Sequence, residues 1–471
     1  METLIKQNKF SSRTIQKILF LAGVTALLLC AGCSRFSGSP GTENPESSAG
    51  RAPSVPTEAP SGMPGQEVPG AKATDKKAGK STSPARDSRP SSASKTTTSA
   101  KAASQTPSPE SDEHKPDLSV PKERELEDRL LAMTLEEKAA QLFIISPESL
   151  VEITGSVTVA GDLTRKAFHD IPVGGFIYMG SNLKSAGQVK AMLSDIQAIS
   201  MERLNLPVFL SVDEEGGSVA RIGGSGRFDV PVIDSMSKIG QSGDKDLAYH
   251  TGAQIGAYLS ELGFNLDFAP IADVLSNPDN TVVKDRSFGS DPDHVSALAL
   301  AVAGGLHDQG ILSVYKHFPG HGATAGDTHE GYAYTEKTLQ ELQSCELIPF
   351  RDGIQAGIPF IMVGHFSLPQ ITGDHLPASL SPAVVTGLLR EEMGYDGIVI
   401  TDALNMEAIT QQYSSAEAAI LALKAGNDIL LMPADFKEAY QGVLDAVARG
   451  ELTRERIDES VKRILRVKLA E

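Results

Sequence analysis

Eight short runs of apolar residues recur between positions 142 and 432, at 142–145, 175–178, 208–212, 265–270, 312–315, 360–363, 398–401 and 428–432. Most are separated by stretches with apolar residues at three- and four-residue spacing, at 162–168, 185–202, 246–262, 292–309, 339–356, 381–393, 416–425 and 435–449. Short, continuously apolar strands suit a sheet buried on both faces, and the intervening helices supply the crossovers that parallel strands need. Eight repeats of strand and helix predict a closed (β/α)8 TIM barrel, an α/β fold whose site is built at the C-terminal ends of the strands. Ahead of the first run, Thr134 and Glu137 are spaced as a capping box for an opening helix, and a charged helix over 454–469 ends the pattern.

The barrel accounts for residues 119–471 as one catalytic domain, which leaves a long N-terminal segment of different character. Lys6, Lys9, Arg13 and Lys17 precede an apolar run at 18–29 that is too short for a comfortable membrane span and typical of a secretory leader. Leu29-Cys30-Ala31-Gly32-Cys33-Ser34 then resembles a bacterial lipobox, with Cys30 standing where an aliphatic residue is usual. Residues 1–33 are therefore expected to be a lipoprotein signal peptide and Cys33 the lipidated residue, so that the protein is exported and anchored by its lipid on the outer side of the cytoplasmic membrane. Release as a free secreted protein is the alternative. Residues 34–118, rich in Ser, Pro, Thr, Ala, Gly and Lys, carry almost no large apolar side chain and are expected to be a disordered tether spanning about 50 Å as a random coil.

The formal charge is −17 and the acidic excess falls within 119–471, which excludes a nucleic-acid surface there. Of the three cysteines only Cys345 lies in the barrel region, so no disulfide is available inside it, and Cys345 reads as an ordinary thiol.

Charged and polar residues cluster where the predicted strands end. Asp213, Glu214 and Glu215 follow the third, Asp273 and later Arg286 the fourth, Lys316 and His317 the fifth, His365 the sixth and Asp402 the seventh. The fifth strand runs into Lys316-His317-Phe318-Pro319-Gly320-His321-Gly322-Ala323-Thr324-Ala325-Gly326-Asp327-Thr328-His329, with three His in a loop rich in Gly and Pro. Carboxylates, cations and imidazoles at a barrel mouth suit a polyhydroxylated ligand and acid/base chemistry. Asp402 ends a buried strand and suits a nucleophile, or the cap of the helix that follows.

These phrases resemble glycoside hydrolase family 3, specifically its single-domain β-N-acetylglucosaminidases of peptidoglycan turnover, over residues 125–471. The resemblance rests on Met133-Thr134-Leu135-Glu136-Glu137-Lys138, Asp213-Glu214-Glu215-Gly216-Gly217-Ser218-Val219-Ala220-Arg221, Asp285-Arg286-Ser287-Phe288-Gly289, the His-rich loop and Thr401-Asp402-Ala403-Leu404-Asn405-Met406. It implies that Asp402 is the nucleophile of a retaining hydrolysis, and that His329, oriented by Asp327, is the acid/base. It further implies that Asp213, Arg221, Arg286, Lys316 and His317 hold the terminal sugar. Glycines 320, 322 and 326 would then let the loop close over the substrate. The sequence departs from the usual motif at Glu214, where Gln is common, and at Ser218, where Arg is. His321 and His365 receive no role.

The implied activity is exo-hydrolysis of β-N-acetylglucosamine from muropeptide fragments by a monomer that needs no cofactor or metal. Three alternatives stay open: a family 3 β-glucosidase, a non-catalytic sugar-binding lipoprotein, and a metal site built from His317, His321, Asp327 and His329.

Overall fold

In a computed structural model the described residues are 119–329 and 331–470. The expected leader at 1–33, its Cys33 and the linker at 34–118 lie outside them. Eight parallel strands form one sheet: β1 (Phe143–Ile145), β2 (Gly175–Ile177), β3 (Phe209–Val212), β4 (Leu266–Asp267), β5 (Leu312–Phe318), β6 (Phe360–Val363), β7 (Ile398–Thr401) and β8 (Leu430–Leu431). They neighbour one another in chain order, β8 pairs back onto β1, and a parallel bridge between Ile400 and Ile429 joins β7 to β8. The ring of strands is the predicted TIM barrel.

Every residue of β1, β2, β3, β6 and β7 is buried, as expected for strands that face side chains on one side and helices on the other. The helices that cover them are α1 (Asp162–Asp170), α2 (Ala186–Leu204), α3 (Lys245–Leu262), α4 (Pro292–His307), α5 (Leu347–Gln355), α6 (Ala383–Glu392), α7 (Ser415–Ala425) and α8 (Phe436–Ala448). Side-chain caps start many of them: Ser185 for α2, Asp244 for α3, Asp291 for α4 and Ser414, in a capping box with Glu417, for α7. The opening helix Leu135–Gln141 carries the expected Thr134–Glu137 capping box. At the N-terminal end of the barrel, Lys468 from the last helix (Arg454–Lys468) donates to Gln141 Oε1 at 2.9 Å and Gly174 O at 2.8 Å, closing the floor.

Three local departures from the sequence pattern shape the mouth. The run 339–356 breaks into Leu339–Gln343 and α5, because Pro349 has no N–H to continue one helix but is tolerated in the first turn of a new one. The fourth apolar run is a regular strand only over Leu266–Asp267; beyond it Phe268 and Ala269 still bond to Val212 and Val314, and Pro270 has no N–H to extend the ladder. The fifth strand, by contrast, continues to Phe318 with a register shift between Tyr315 and Phe318, so Lys316 and His317 lie within it rather than beyond its end. The Lys316–His317 peptide is cis.

Candidate active site

The loops after β3, β4, β5, β7 and β8 surround a cavity of about 510 Å³, lined among others by Asp213, Glu215, Arg221, Arg286, Lys316, His317, Asp327, His329 and Asp402. All eight residues assigned to the site from sequence line it. The walls are built outward from each strand end in turn.

After β3 the chain forms a hairpin, Glu214–Gly216 against Val219–Ala220. Gly216 and Gly217, at φ +86° and +57°, occupy the left-handed region that so tight a turn demands. The hairpin is tied down from beneath by Glu214, one of the two residues that depart from the usual motif. Its buried carboxylate accepts the Ile222 and Gly223 N–H groups at 2.9 and 2.7 Å and the Tyr258 hydroxyl at 2.8 Å. This departure therefore falls under the site and outside its lining, whereas the other, Ser218, lines the cavity, and Arg221 lines it too. Arg221 lies 3.8 Å from Asp213, and its buried Nε has no hydrogen-bond partner among the described residues.

The opposite wall is an ion network. Glu215 receives Arg286 through two bonds, Nε to Oε2 at 2.8 Å and Nη2 to Oε1 at 2.7 Å, and Lys316 Nζ lies 2.6 Å from its Oε1. Lys316 also reaches Asp213 at 3.0 Å. Burial alone would raise the Glu215 carboxyl, but Arg286 and Lys316 reverse that and hold it far below the usual carboxylate range. Glu215 and Asp213 in turn keep Lys316 above its ordinary value although burial and Arg286 oppose it. Glu215 was visible in the sequence without an assigned role; two cations converging from the fourth and fifth strand ends require a carboxylate between them, which is the signal that points to it.

Asp273 is the second residue that sequence reasoning left without a role. Buried behind β5, it accepts from His317 N at 3.1 Å, His317 Nδ1 at 2.8 Å and His321 N at 2.6 Å. This fixes the His317 ring in orientation and places its proton on Nδ1. His321 is buried between Thr324 Oγ1 at 3.0 Å and Thr328 Oγ1 at 3.3 Å, and burial next to His317 lowers it to about 4, so it is a neutral brace for the loop. Gly322 belongs to this packed part: a Cβ there would lie 2.0 Å from Val274 O. The expectation that Gly322 frees the loop is thus corrected to close packing, with Gly320 likewise against Glu346.

Asp402 projects from the end of β7, its N–H bonded to Val363 O at 2.9 Å and its Oδ1 accepting the Ala403 N–H at 2.8 Å. Burial would raise its carboxyl, yet His317, His365, the Ala403 amide and Lys316 together bring it to about 2. His365 stands beside it, accepting from Ser379 at Nδ1 (2.7 Å) and donating from Nε2 to Ala403 O (3.0 Å). Burial lowers His365, and the Asp402 carboxylate opposes that shift. The helix-cap alternative for Asp402 has no counterpart, since its one backbone acceptor bond is to the adjacent residue.

Facing Asp402 from the far end of the loop, Asp327 accepts both the main-chain N–H (2.8 Å) and the ring Nδ1 (2.9 Å) of His329. Burial would raise Asp327, but its bonds to His329 lower it on balance. The donors of the metal alternative are otherwise engaged, His317 with Asp273 and His321 with two threonines. Among the described residues no group of three His, Cys, Asp or Glu is placed to hold a metal ion.

The sequence profile of the Glycosyl hydrolase family 3 N-terminal domain matches residues 134–467. The chain belongs to glycosyl hydrolase family 3. Within this family it is 42% identical over 281 residues to a Mycobacterium tuberculosis protein named β-hexosaminidase LpqI, covering 56% of this chain and 68% of that one. It is 34% identical over 320 residues to β-hexosaminidase A of Pseudoalteromonas piscicida, covering 63% of this chain but only 53% of the relative. The fold superposes, with a TM-score of 0.67 and 37% identity, on a family 3 β-N-acetylglucosaminidase from Paenibacillus sp., covering 72% of this chain and 63% of that one. This chain thus spans about half of the Pseudoalteromonas relative and less than two thirds of the Paenibacillus structure.

Proposed function

We propose that this family 3 glycoside hydrolase is a retaining exo-β-N-acetylglucosaminidase, and that the observation carrying this reading is the shared cavity of Asp402 and the Asp327–His329 pair. The names of the Mycobacterium, Pseudoalteromonas and Paenibacillus relatives support the sugar. Retaining glycosidases commonly use two carboxylates. Here one is Asp402 and the second is replaced by an imidazole whose tautomer is held by Asp327, in the way a buried carboxylate holds the histidine of a hydrolase triad.

In this mechanism the terminal sugar sits against Asp213, Arg221, Arg286, Lys316 and His317. The Asp402 carboxylate attacks C1 while protonated His329 gives its Nε2 proton to the glycosidic oxygen, and the aglycone leaves as an alcohol. The C1–O bond to the leaving group breaks as the C1–O bond to Asp402 forms. His329, now neutral, takes a proton from water, the hydroxide oxygen bonds to C1, and Asp402 leaves as carboxylate, so the anomeric configuration is retained.

The substrate source follows from the N-terminal sequence. Lipidation of Cys33 and a tether at 34–118 would hold the barrel outside the cytoplasmic membrane, where cell-wall muropeptides are the available β-N-acetylglucosaminides. One assay tests the activity: chromogenic β-N-acetylglucosaminide, β-glucoside and muropeptides are compared, with and without phosphate. Turnover of the glucoside at or above that of the N-acetylglucosaminide would replace this reading with the β-glucosidase one, and glycosyl phosphate as product would replace hydrolysis with phosphorolysis. Incorporation of a labelled lipid precursor into the wild type but not into Cys33→Ala is the expected result for the anchor.

A further inference from the structure

Between Asp327 and His329 stands Thr328, which the mechanism above does not use and which is placed in the opposite way from its neighbours. The side chains of Asp327 and His329 retain 31% and 61% of their exposure, whereas Thr328 retains 1% and still lines the cavity. Two contacts hold it. Its hydroxyl lies 3.3 Å from Nε2 of His321, and its carbonyl accepts the Ala408 N–H at 3.3 Å.

The first contact has a fixed direction. Thr324 Oγ1 donates its one proton to His321 O at 2.9 Å and receives Asn280 Nδ2 at 3.2 Å, so its 3.0 Å contact with His321 Nδ1 is an N–H donated by the ring. A neutral His321 then carries a lone pair on Nε2, which accepts the Thr328 hydroxyl. His321 is itself well anchored. Its main-chain N–H bonds Asp273 Oδ1 at 2.6 Å, and its ring packs against those of His317 and Phe366, with centroids 5.6 and 5.3 Å away. The other oxygen of Asp273 holds His317, so one set of bonds runs from His317 through Asp273 and His321 to the residue between the acid/base pair. The second contact reaches the segment that follows the nucleophile: Ala408 lies in the short helix Glu407–Thr410. Further along the loop a Cβ on Gly331 would stand 3.5 Å from Gln411 Oε1, next to the same helix.

We propose that Thr328 is the positioning residue of the acid/base pair, seating His329 relative to Asp402 through its hydroxyl on His321 and its carbonyl on Ala408. This role presupposes the glycosidase reading above. General acid catalysis needs the donor within hydrogen-bond reach of the atom it protonates, and an exposed imidazole on a long loop has many orientations that miss it. A buried residue directly before the imidazole removes much of that freedom without touching the substrate. Turning Thr328 out of its seat would leave His321 Nε2 and the Ala408 N–H, both in buried residues, without these partners.

The test compares kcat/KM, which reports the steps up to departure of the leaving group, for two aryl β-N-acetylglucosaminides. The dinitrophenyl glycoside has a leaving group that departs without protonation, and the phenyl glycoside has one that needs the acid. Thr328→Val fills the same space without the hydroxyl. It is expected to lose about ten-fold on the phenyl glycoside and no more than about two-fold on the dinitrophenyl one, because a displaced acid harms only the reaction that uses it. Thr328→Ser keeps the hydroxyl and should stay within about two-fold of wild type on both. Equal losses by Thr328→Val on the two glycosides would mean a general disturbance of the site and overturn the role, as would undiminished turnover of the phenyl glycoside. A loss by Thr328→Ser as large as that of Thr328→Val would overturn it too, since the hydroxyl would then not matter. A wild-type protein inactive on both glycosides would overturn the glycosidase reading and this role with it.

Discussion

The end of β5 and the tip of the loop that follows it are built on opposite principles. Within β5, Lys316 retains 3% of its side-chain exposure and is locked between Glu215 and Asp213, with Arg286 completing the network. At the loop tip, His329 retains 61% and, among the described residues, is held by Asp327. The charged groups at the strand end are over-determined, while His329, among the described residues, has one ion-pair partner and stands largely exposed. Preorganised charge at the reacting centre spares the cost of reorganisation. A proton donor that must also admit water in the second step gains from being able to withdraw.

The sharpest break in this comparison is Asp402→Ala on the rigid side, where removal of the nucleophile should lower kcat on the order of 10⁴-fold with a chromogenic β-N-acetylglucosaminide. Activity within ten-fold of wild type would remove Asp402 from that role. Next is Glu215→Gln, which leaves Lys316 and Arg286 without their shared counter-charge. Breaking a buried pair costs about 3–5 kcal/mol, so thermal unfolding should move clearly downward and KM upward. An unchanged melting curve would show that the network does not hold the wall.

On the exposed side, His329→Ala is expected to cost about 100-fold for glycosides with poor leaving groups and only a few-fold for good ones, since protonation matters when the leaving group is basic. Equal losses across leaving groups would exclude His329 as the acid. The smallest effect belongs to His321, which joins the two ends. Its folded value of about 4 lies below the ordinary 6.5, so between these the unfolded chain binds a proton that the folded one does not. Stability from this group is therefore full above about pH 6.5 and declines as pH falls toward 4. His321→Asn should flatten the fall of the melting temperature over that window, and a slope identical to wild type would assign the acid sensitivity elsewhere.

Much of this was legible in the sequence because barrels announce themselves locally. Short apolar runs and helical spacing located all eight strands, and the residues at their ends located the mouth. What the sequence showed without a role were the residues that act through others. Glu215, Asp273 and His365 each touch a functional side chain contributed by a different strand end, a relation that only closure of the ring creates. The role of glycine was misjudged for a similar reason. Gly320 and Gly322 look like hinges in a string of letters, but each faces a neighbour distant in sequence, Glu346 and Val274, that leaves no room for a side chain.

The ion network around the cavity has one more consequence. At the strand ends Asp213, Glu215 and Asp402 stand with the cations Arg221, Arg286 and Lys316, and Asp327 on the loop adds a fourth carboxylate that is bonded to His329. Most of the pocket's charge is thus compensated internally, in a chain whose overall charge is −17. An uncharged sugar entering it displaces water rather than counterions, so occupancy of this pocket should be nearly indifferent to ionic strength, even where the acidic exterior around it is not.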